Sequence, residues 1–375
     1  MHPLRNLFAW SGIICLLLVT NANAIPYSFT KVADNSGTFA TGGFARPYLN
    51  DVGTVAFKGD LNNGTSGIYV GNGGALGTVA TTVGTFNILS TGLSINNSGT
   101  VAFAAKLDVP GAGIFIGKAA TVPTPAVSGG TFSNSGFDDV RINDAGTLAF
   151  RATNSNKGVW TGAGSTYTLV ALEGAGGFLE VTDPISLTST GTVVFFAATA
   201  PSVGGIYSNE GGTAHEVVGA PSYLFPRGGA MNDSGAMVFS GITPGQLGLY
   251  VRKNNIDTPI ATSQGPISSF DEMGINAAGA VAVYMELDSG DFGIFNGPDL
   301  VANNIIRKGD ALFGGTVSDL FYNDGGAIND AGQVAFSYIL TNGQQGVALA
   351  TPLPEPASAG VLFAAAFAVA RRRIS

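Results

Sequence analysis

The sequence is poor in the residues that carry most enzyme chemistry and nucleic-acid binding. Its 375 residues include 1 cysteine and 2 histidines, and 17 Lys and Arg stand against 25 Asp and Glu. The scarcity of cations argues against a nucleic-acid partner, because binding to phosphates needs clustered Lys and Arg. Gly-x-Ser-x-Gly, His-Glu-x-x-His and P-loop motifs do not occur. The sequence therefore favours a noncatalytic protein.

Long amphipathic helical patterns are also missing between the two ends of the chain, whereas glycine is abundant. The 55 glycines are about twice the usual share of roughly 7%. Thr, Val, Ile and Phe are frequent as well. This composition indicates many short β-strands joined by tight turns, and so an all-β fold.

The first residues have the pattern of a secretory signal peptide. Arg5 precedes an apolar run from Leu7 to about Val19, and Ala22-Asn23-Ala24 follows. The run is too short for a comfortable membrane span, and small residues two apart are typical of a cleavage site. We therefore predict a signal peptide over residues 1–24. Because Cys15 lies within it, the exported protein would have neither thiols nor disulfides.

The last residues, 352–375, read "PLPEPASAGVLFAAAFAVARRRIS". Residues 357–370 would form a helix of about 21 Å, shorter than a hydrocarbon core of roughly 30 Å. One interpretation is an ordinary tail anchor. The order of the three parts also resembles the PEP-CTERM sorting signal of Gram-negative bacteria, which implies processing by an exosortase in organisms that secrete exopolysaccharide. The residues that carry this resemblance are Pro354, Glu355, Pro356, Arg371, Arg372 and Arg373.

Between the ends, one motif occurs seven times. The copies read "LNDVGTVAF", "INNSGTVAF", "INDAGTLAF", "LTSTGTVVF", "MNDSGAMVF", "INAAGAVAV" and "INDAGQVAF", at intervals of 44 to 53 residues. A second element such as "GIYVG" begins 12 to 14 residues after each motif glycine. The motif glycines are Gly53, Gly99, Gly146, Gly191, Gly235, Gly279 and Gly332.

Each repeat has room for four strands, which suits one blade of a β-propeller. We therefore predict a seven-bladed β-propeller over residues 25–351. The last repeat lacks a fourth strand, whereas the chain begins with a strand that has no blade before it. We expect Phe29–Ala33 to pair with Gly346–Ala350 and to close the last blade, which removes exposed strand edges.

Within the motif, Asn and Asp favour a turn and glycine accepts positive φ. In the following strand, Val101 and Phe103 face one side and Ala102 and Ala104 the other, so large faces can pack against small ones. The repeats resemble a family of exported bacterial proteins with tandem Asn-x-x-Gly-x-x-Ala-Phe repeats. That resemblance implies export and architecture but no catalytic residues. Thr188 replaces the motif asparagine in one copy.

The connections before the second element vary freely, so we expect any ligand to bind on the propeller face that carries them. Eight residues before the motif glycines stand Ala45, Thr91, Asp138, Asp183, Arg227, Asp271 and Asp324. We predict that the four aspartates begin innermost strands at the channel mouth. There they would either bind Ca²⁺ or another hard cation, or be solvated strand-starting residues. Asp139 and Glu272 follow two of them.

Two functions follow from these observations. The first is an exported, noncatalytic propeller that binds or supports envelope or extracellular-matrix components, including exopolysaccharide, and is held in the inner membrane by its tail until processing. The alternative is a secreted polysaccharide-active enzyme that uses channel-mouth carboxylates such as Asp138 and Asp271, because glycoside cleavage needs two suitably placed acids. His215, the only histidine after the signal peptide, is expected in an outermost strand, away from the channel.

Overall fold

The computed structural model describes residues 26–132 and 135–354. The predicted signal peptide and the sorting residues from Glu355 onward lie outside these residues. Within the described part, the only helices are two single 3₁₀ turns, Gly130–Phe132 and Glu210–Gly212. No helix in those two ranges has the length and apolar character to cross a membrane.

The strands form seven antiparallel sheets in chain order, each one blade of a propeller. Blade 1 contains Phe39–Phe44, Tyr48–Leu49, Val55–Leu61, Ser66–Gly71 and Gly77–Thr81. Blade 2 contains Phe86–Ile95, Val101–Leu107, Ala112–Gly117 and Thr124–Val127. Blade 3 contains Ser135–Ile142, Leu148–Asn154, Gly158–Ala163 and Thr166–Leu172. Blade 4 contains Glu180–Leu187, Val193–Ala200, Val203–Ser208 and His215–Val218.

The remaining blades have the same strand order, innermost strand first. Blade 5 contains Leu224–Met231, Met237–Thr243, Gln246–Lys253 and Ile256–Thr262. Blade 6 contains Ile267–Ile275, Val281–Leu287, Phe292–Phe295 and Asn304–Arg307. Blade 7 contains Gly315–Phe321, Val334–Leu340, Gln345–Pro352 and Tyr27–Asp34, with Ala311–Leu312 as a short hairpin partner of its innermost strand. The predicted all-β, seven-bladed propeller is confirmed.

The N-terminal strand closes the last blade as expected. Phe29 pairs with Ala350 and Lys31 with Ala348, antiparallel to the last strand. The pairing extends to the ends of the described chain, where the Leu353 N–H donates to the Pro26 carbonyl oxygen at 2.8 Å. The N-terminal strand is thereby the outermost strand of blade 7, and the chain continues from it directly into blade 1, which ties the two ends of the ring of blades together.

The motif strands pack large faces against small ones. Phe103 is fully buried with Val101 against Ala56 of blade 1. On the opposite face of the same strand, Ala102 packs towards Phe150 of blade 3. Each buried Phe contributes roughly 1.5 to 3 kcal/mol relative to an exposed one. The repeat therefore encodes the contact between successive blades.

The motif turns have the predicted backbone geometry. All seven motif glycines have φ between 72° and 92°, a left-handed conformation that favours glycine. At the second copy, the Gly99 N–H donates to the Asn96 carbonyl oxygen at 3.0 Å. The turns lie on one face of the propeller, here called the motif face. The connections before the second element lie on the other, here called the variable face.

Candidate functional site

The motif asparagines join neighbouring blades as well as shaping their own turns. The Asn96 Oδ1 accepts from the Thr100 N–H at 3.0 Å, within its own turn. Its Nδ2 donates to the Asn143 carbonyl oxygen of the next blade at 3.1 Å. The same inter-blade bond, 2.7 to 3.1 Å long, is made by Asn50, Asn96, Asn143, Asn232, Asn276 and Asn329. We call this set the asparagine ring.

The asparagine ring closes on itself but has one gap. Asn329 of blade 7 donates to the Asn50 carbonyl oxygen of blade 1, so the bonds run around the axis. At the fourth copy, the Thr188 Oγ1 accepts from the Thr192 N–H at 3.0 Å but, among the described contacts, makes no bond to blade 5. That junction is bridged instead by Ser186, whose Oγ donates to the Met231 carbonyl oxygen at 2.9 Å.

The next motif residue adds a second set of inter-blade bonds. The Asn97 N–H donates to the Asp144 Oδ1 at 2.7 Å, and the Asp330 N–H to the Asp51 Oδ1 at 3.0 Å, across the closure of the ring. The recess that these turns surround has a volume of only about 200 Å³. The polar groups of the motif face are thus largely used in holding blades together. In the sequence, this feature was visible as an asparagine in six of seven copies, but the spacing alone did not reveal the inter-blade bond.

Arg141 lies between the two mouths of the channel and lines a cavity at each of them. Its side chain is 7% exposed and pairs with Asp139 at 2.8 Å. It also donates to the Tyr48 hydroxyl of blade 1 at 2.5 Å and to the Asp324 carbonyl oxygen of blade 7 at 3.3 Å. Burial lowers the pKa of Arg141, but Asp139, Tyr48 and Asp324 together outweigh burial and raise that pKa, so the guanidinium stays charged. Arg141 therefore ties blades 1, 3 and 7 together.

The variable-face mouth, in contrast, is a wide depression. One cavity of about 690 Å³ lies over blades 5 to 7, and a neighbouring one of about 590 Å³ extends towards blades 3 and 4. Both are the size of small-ligand sites. They share Arg46, Phe225, Arg227, Asp271 and Glu272. The Arg46 Nη2 and the Glu272 Oε1 form an ion pair at 2.6 Å.

Bulges aim the predicted aspartates at this mouth. The register of the innermost strand shifts between Phe137 and Val140 in blade 3 and between Phe270 and Met273 in blade 6. A bulge leaves extra residues unpaired and redirects their side chains. Asp138 and Asp271 therefore lie within their strands, at bulges, and not at the strand starts that the sequence suggested.

Asp324 departs further from the expected position. Blade 7 has the longest motif interval, and the extra residues lie between the strand Gly315–Phe321 and the motif turn. Asp324 is in this insertion, after the innermost strand, so counting back from the glycine placed it wrongly beside Asp271. Its Oδ1 accepts from the Met273 N–H of blade 6 at 2.7 Å.

The remaining predicted residues have partners that differ from blade to blade. Asp138 pairs with Arg151 at 3.1 Å. The Asp271 Oδ2 accepts from the Ser269 hydroxyl at 2.6 Å, and its Oδ1 lies 4.0 Å from Arg227. Asp183 lies in the strand Glu180–Leu187. Within residues 26–132 and 135–354, no group of three or more Asp, Glu, His or Cys is arranged to hold a metal ion. The Ca²⁺ hypothesis stays a prediction.

Among the carboxyl groups described in this depression, Asp324 has a pKa that is raised above the ordinary value for aspartate. Burial raises the pKa of Asp324 to about 6, and nearby Glu272 adds to the rise. The Met273 N–H, Arg141 and Arg46 act in the opposite direction, because they stabilise the charged form. A group with this pKa exchanges its proton near neutral pH, which is the property required of a general acid.

Phe225 is a functional candidate that the sequence did not reveal. It lines both cavities, its side chain is 58% exposed, and its φ is +49°. An exposed aromatic ring at a cavity edge is available for stacking against a ligand. No motif position predicts it, because Phe225 lies at the irregular start of the innermost strand of blade 5, outside the repeated motif. His215 lies in an exposed outermost strand, as expected.

Comparison with known proteins supports the fold. Residues 29–247 match the model of a family of unknown function, DUF7453, and no curated protein matches the sequence. The acylaminoacyl peptidase of Pyrococcus horikoshii is 11% identical, with a TM-score of 0.51, over 86% of this chain and 53% of the peptidase.

Two further structures are similar at lower TM-scores. A β-propeller domain of Cps50 (Swd1) from Myceliophteria thermophila is 8% identical, with a TM-score of 0.48, over 86% of this chain and 100% of that domain. TolB from Acinetobacter baumannii is 15% identical, with a TM-score of 0.42, over 69% of this chain and 64% of TolB. At these identities the likeness concerns the fold alone.

Proposed function

We propose that this chain, which belongs to the DUF7453 family of unknown function, is an exported, noncatalytic β-propeller that binds a polysaccharide of the cell envelope or extracellular matrix. The model of that family matches more than half of the length of the chain. Its ligand enters the variable-face mouth. The tail with Pro354, Glu355 and Pro356 is recognised by an exosortase.

The difference between the two mouths is the observation that carries this proposal. On the motif face, side-chain amides and carboxylates are bonded to the adjacent blade, around a recess of about 200 Å³. On the variable face, an exposed aromatic ring, hydroxyls and charged groups surround cavities of about 690 and 590 Å³. Such a mixture of apolar and hydrogen-bonding groups is typical of a ligand site.

The position of the chain ends fits a tethered protein. Thr351 accepts a bond from the Gln333 side chain, and Pro352 lies beside Gly332, so the last described strand ends at the motif face. A membrane anchor in the following residues would hold the motif face towards the membrane. The variable face would then point away from it, where a matrix polymer is accessible.

Retention of exopolysaccharide tests the proposal. We expect the full chain, immobilised on beads, to retain exopolysaccharide from an exosortase-containing bacterium without shortening it. Phe225→Ala would reduce retention, because it removes the exposed ring from the mouth. Ile256→Ala is the matched control, since Ile256 is exposed at 69% but belongs to an outermost strand of blade 5. Equal retention by both variants, or none by the native chain, would contradict the proposal.

A polysaccharide-cleaving enzyme is the second candidate, favoured by one observation. Asp324, with its pKa of about 6, lines the same cavity as Glu272, and glycosidases use such carboxyl pairs. The ion pair between Arg46 and Glu272 already engages the second carboxylate. Release of reducing ends from exopolysaccharide, abolished in Asp324→Asn, would establish the enzyme and exclude the binding protein.

A further inference from the structure

We propose that the cavity over blades 5 to 7 recognises a sugar unit that carries a protonated amino group. This inference rests on the proposed polysaccharide binding and specifies its ligand. The unit stacks on Phe225, and its ammonium group lies among the carboxylates of blades 6 and 7. A neutral N-acetylated sugar would leave those carboxylates without a cation.

The charges that line the cavity do not balance. Four carboxylates, Asp271, Glu272, Glu286 and Asp319, face two guanidinium groups, Arg46 and Arg227. The two guanidinium groups are paired to different degrees. Arg46 forms a short ion pair with Glu272. The Arg227 side chain is 73% exposed and lies 4.0 Å from Asp271.

Glu286 and Asp319 account for the excess of negative charge. Glu286 is exposed and has no ion-pair partner among the described residues. Among the described contacts, Asp319 accepts only the N–H of the adjacent Leu320, at 2.9 Å. A bound cation between blades 6 and 7 would gain charge-assisted bonds that no protein cation supplies.

Tyr284 marks where these carboxylates converge. Tyr284 lines the same cavity and is half-buried. Burial raises the pKa of Tyr284, and Asp319, Glu286, Glu272 and Asp271 all raise it further. The hydroxyl therefore stays protonated and can donate to a sugar oxygen, while the surrounding field favours a positive ligand group. Phe225 supplies an apolar ring face at the rim of the same cavity.

A cationic peptide is the competing ligand, and the strand geometry disfavours it. Extended peptides bind by adding to a regular strand edge. The innermost strands that border this cavity are irregular, with register shifts between Leu224 and Arg227 and between Phe270 and Met273. Such bulges interrupt the row of backbone groups that a peptide would need. A sugar ring can be bound by side chains alone and needs no such row of backbone groups.

The test compares two probes whose amino groups are either free and protonated or acetylated and neutral. The full chain, purified in detergent, is titrated calorimetrically with a β-1,4-linked glucosamine tetramer and with the same tetramer in N-acetylated form. Both titrations are run at about pH 6, where free amino groups carry a proton. We expect the amino form to bind at least about tenfold more tightly. Its affinity should fall as salt is raised, because salt screens charge pairs near the surface.

Variants assign the effect to the cavity. Glu286→Gln and Asp319→Asn should each weaken binding of the amino form about tenfold, the loss expected for one charge-assisted bond, and leave the acetylated form unchanged. Phe225→Ala should weaken both forms. Asp108→Asn is the matched control, because Asp108 is an exposed carboxylate in the blade 2 connection on the same face and lines none of these cavities. Melting temperatures check that each variant is folded.

The outcomes separate this inference from the proposed function. Equal affinity for both tetramers, or retention of exopolysaccharide without binding of the amino tetramer, would overturn the amino-sugar assignment and leave polysaccharide binding intact. Failure to bind either tetramer together with failure to retain exopolysaccharide would remove both proposals. Binding of an oligolysine peptide, but of no sugar, would overturn the assignment in favour of a peptide ligand.

Discussion

The two faces of the propeller use the same strands for opposite purposes. On the motif face, nearly the same residues occur in every blade, and six of the seven equivalent side chains donate to the next blade in the same way. On the variable face, equivalent levels of the channel carry Arg46, Asp138, Arg227 and Asp271, whose partners all differ. Repeated contacts hold a ring together, whereas recognition of an asymmetric ligand requires that the repetition be broken.

The contrast is tested most strongly by truncating one phenylalanine from each region. Phe103→Ala should lower the free energy of unfolding by about 3 to 5 kcal/mol, because the ring is fully buried beside Phe86 and Phe115. Phe225→Ala should change it by less than about 0.5 kcal/mol, since that ring is exposed. Urea unfolding measures both values. Similar losses would mean that the mouth is part of the core.

The same two faces can be compared by replacing one asparagine on each, with smaller expected losses of stability. Asn96→Ala removes the bond to blade 3, where the Asn143 carbonyl oxygen keeps only the Gly146 N–H, and leaves the Thr100 N–H without its acceptor. It should cost about 2 to 3 kcal/mol. Asn63→Ala, on the variable face, removes only bonds within an exposed turn, to Thr65, and should cost less than about 1 kcal/mol. If Asn63 proved as costly as Asn96, the asparagine ring would have no special role.

Asp324, at the variable-face mouth, should make the free energy of unfolding depend on pH. The pKa of Asp324 in the folded protein, about 6, lies above its unfolded value near 3.9. The folded state therefore holds this proton more tightly, and the contribution is lost as pH rises from about 4 through 6. One pKa unit corresponds to about 1.4 kcal/mol of stability. Because Asp324 is only half-buried and water reduces the effect, we expect the free energy of unfolding to fall by about 1 to 2 kcal/mol. Asp324→Asn should flatten this slope in urea unfolding between those pH values; an unchanged slope would assign it to other groups.

Completing the asparagine ring should give the smallest effect, in the stabilising direction. Thr188→Asn supplies an amide donor where blades 4 and 5 lack the repeated bond, and we expect a gain of about 1 kcal/mol. Thr190→Asn, two residues away in the same turn, is the control and should bring no gain. A loss of stability in Thr188→Asn would show that Ser186 and Met231 already fix this junction in a geometry that excludes the amide.

The sequence predicted the scaffold well because the scaffold is periodic. Seven glycines in register determined the blade count, and the unmatched first strand determined the closure between Phe29–Ala33 and Gly346–Ala350. The mouth was predicted only in part, because its residues are set by local irregularities. Bulges place Asp138 and Asp271 within their strands, and an insertion in blade 7 displaces Asp324, none of which a fixed count from a glycine can detect.

Residues that act across the channel were the least accessible to sequence reasoning. Arg141 and Tyr48 are 93 positions apart and meet only because the ring brings blades 1 and 3 to a common axis. Phe225 is identified by its exposure, which no spacing reports. The asparagine ring was visible as repetition, but its bond to the following blade depends on how closely successive turns approach one another.

The hydrogen bond between Leu353 and Pro26 has a practical consequence. Since the first and last described residues touch, a short linker could join them while the chain is opened at a connection elsewhere, for example at Asn63-Gly64 in an exposed turn. Such a circular permutant would retain every strand pairing but begin and end on the opposite face. It would give an experimenter control over which mouth is turned towards a surface to which the protein is attached.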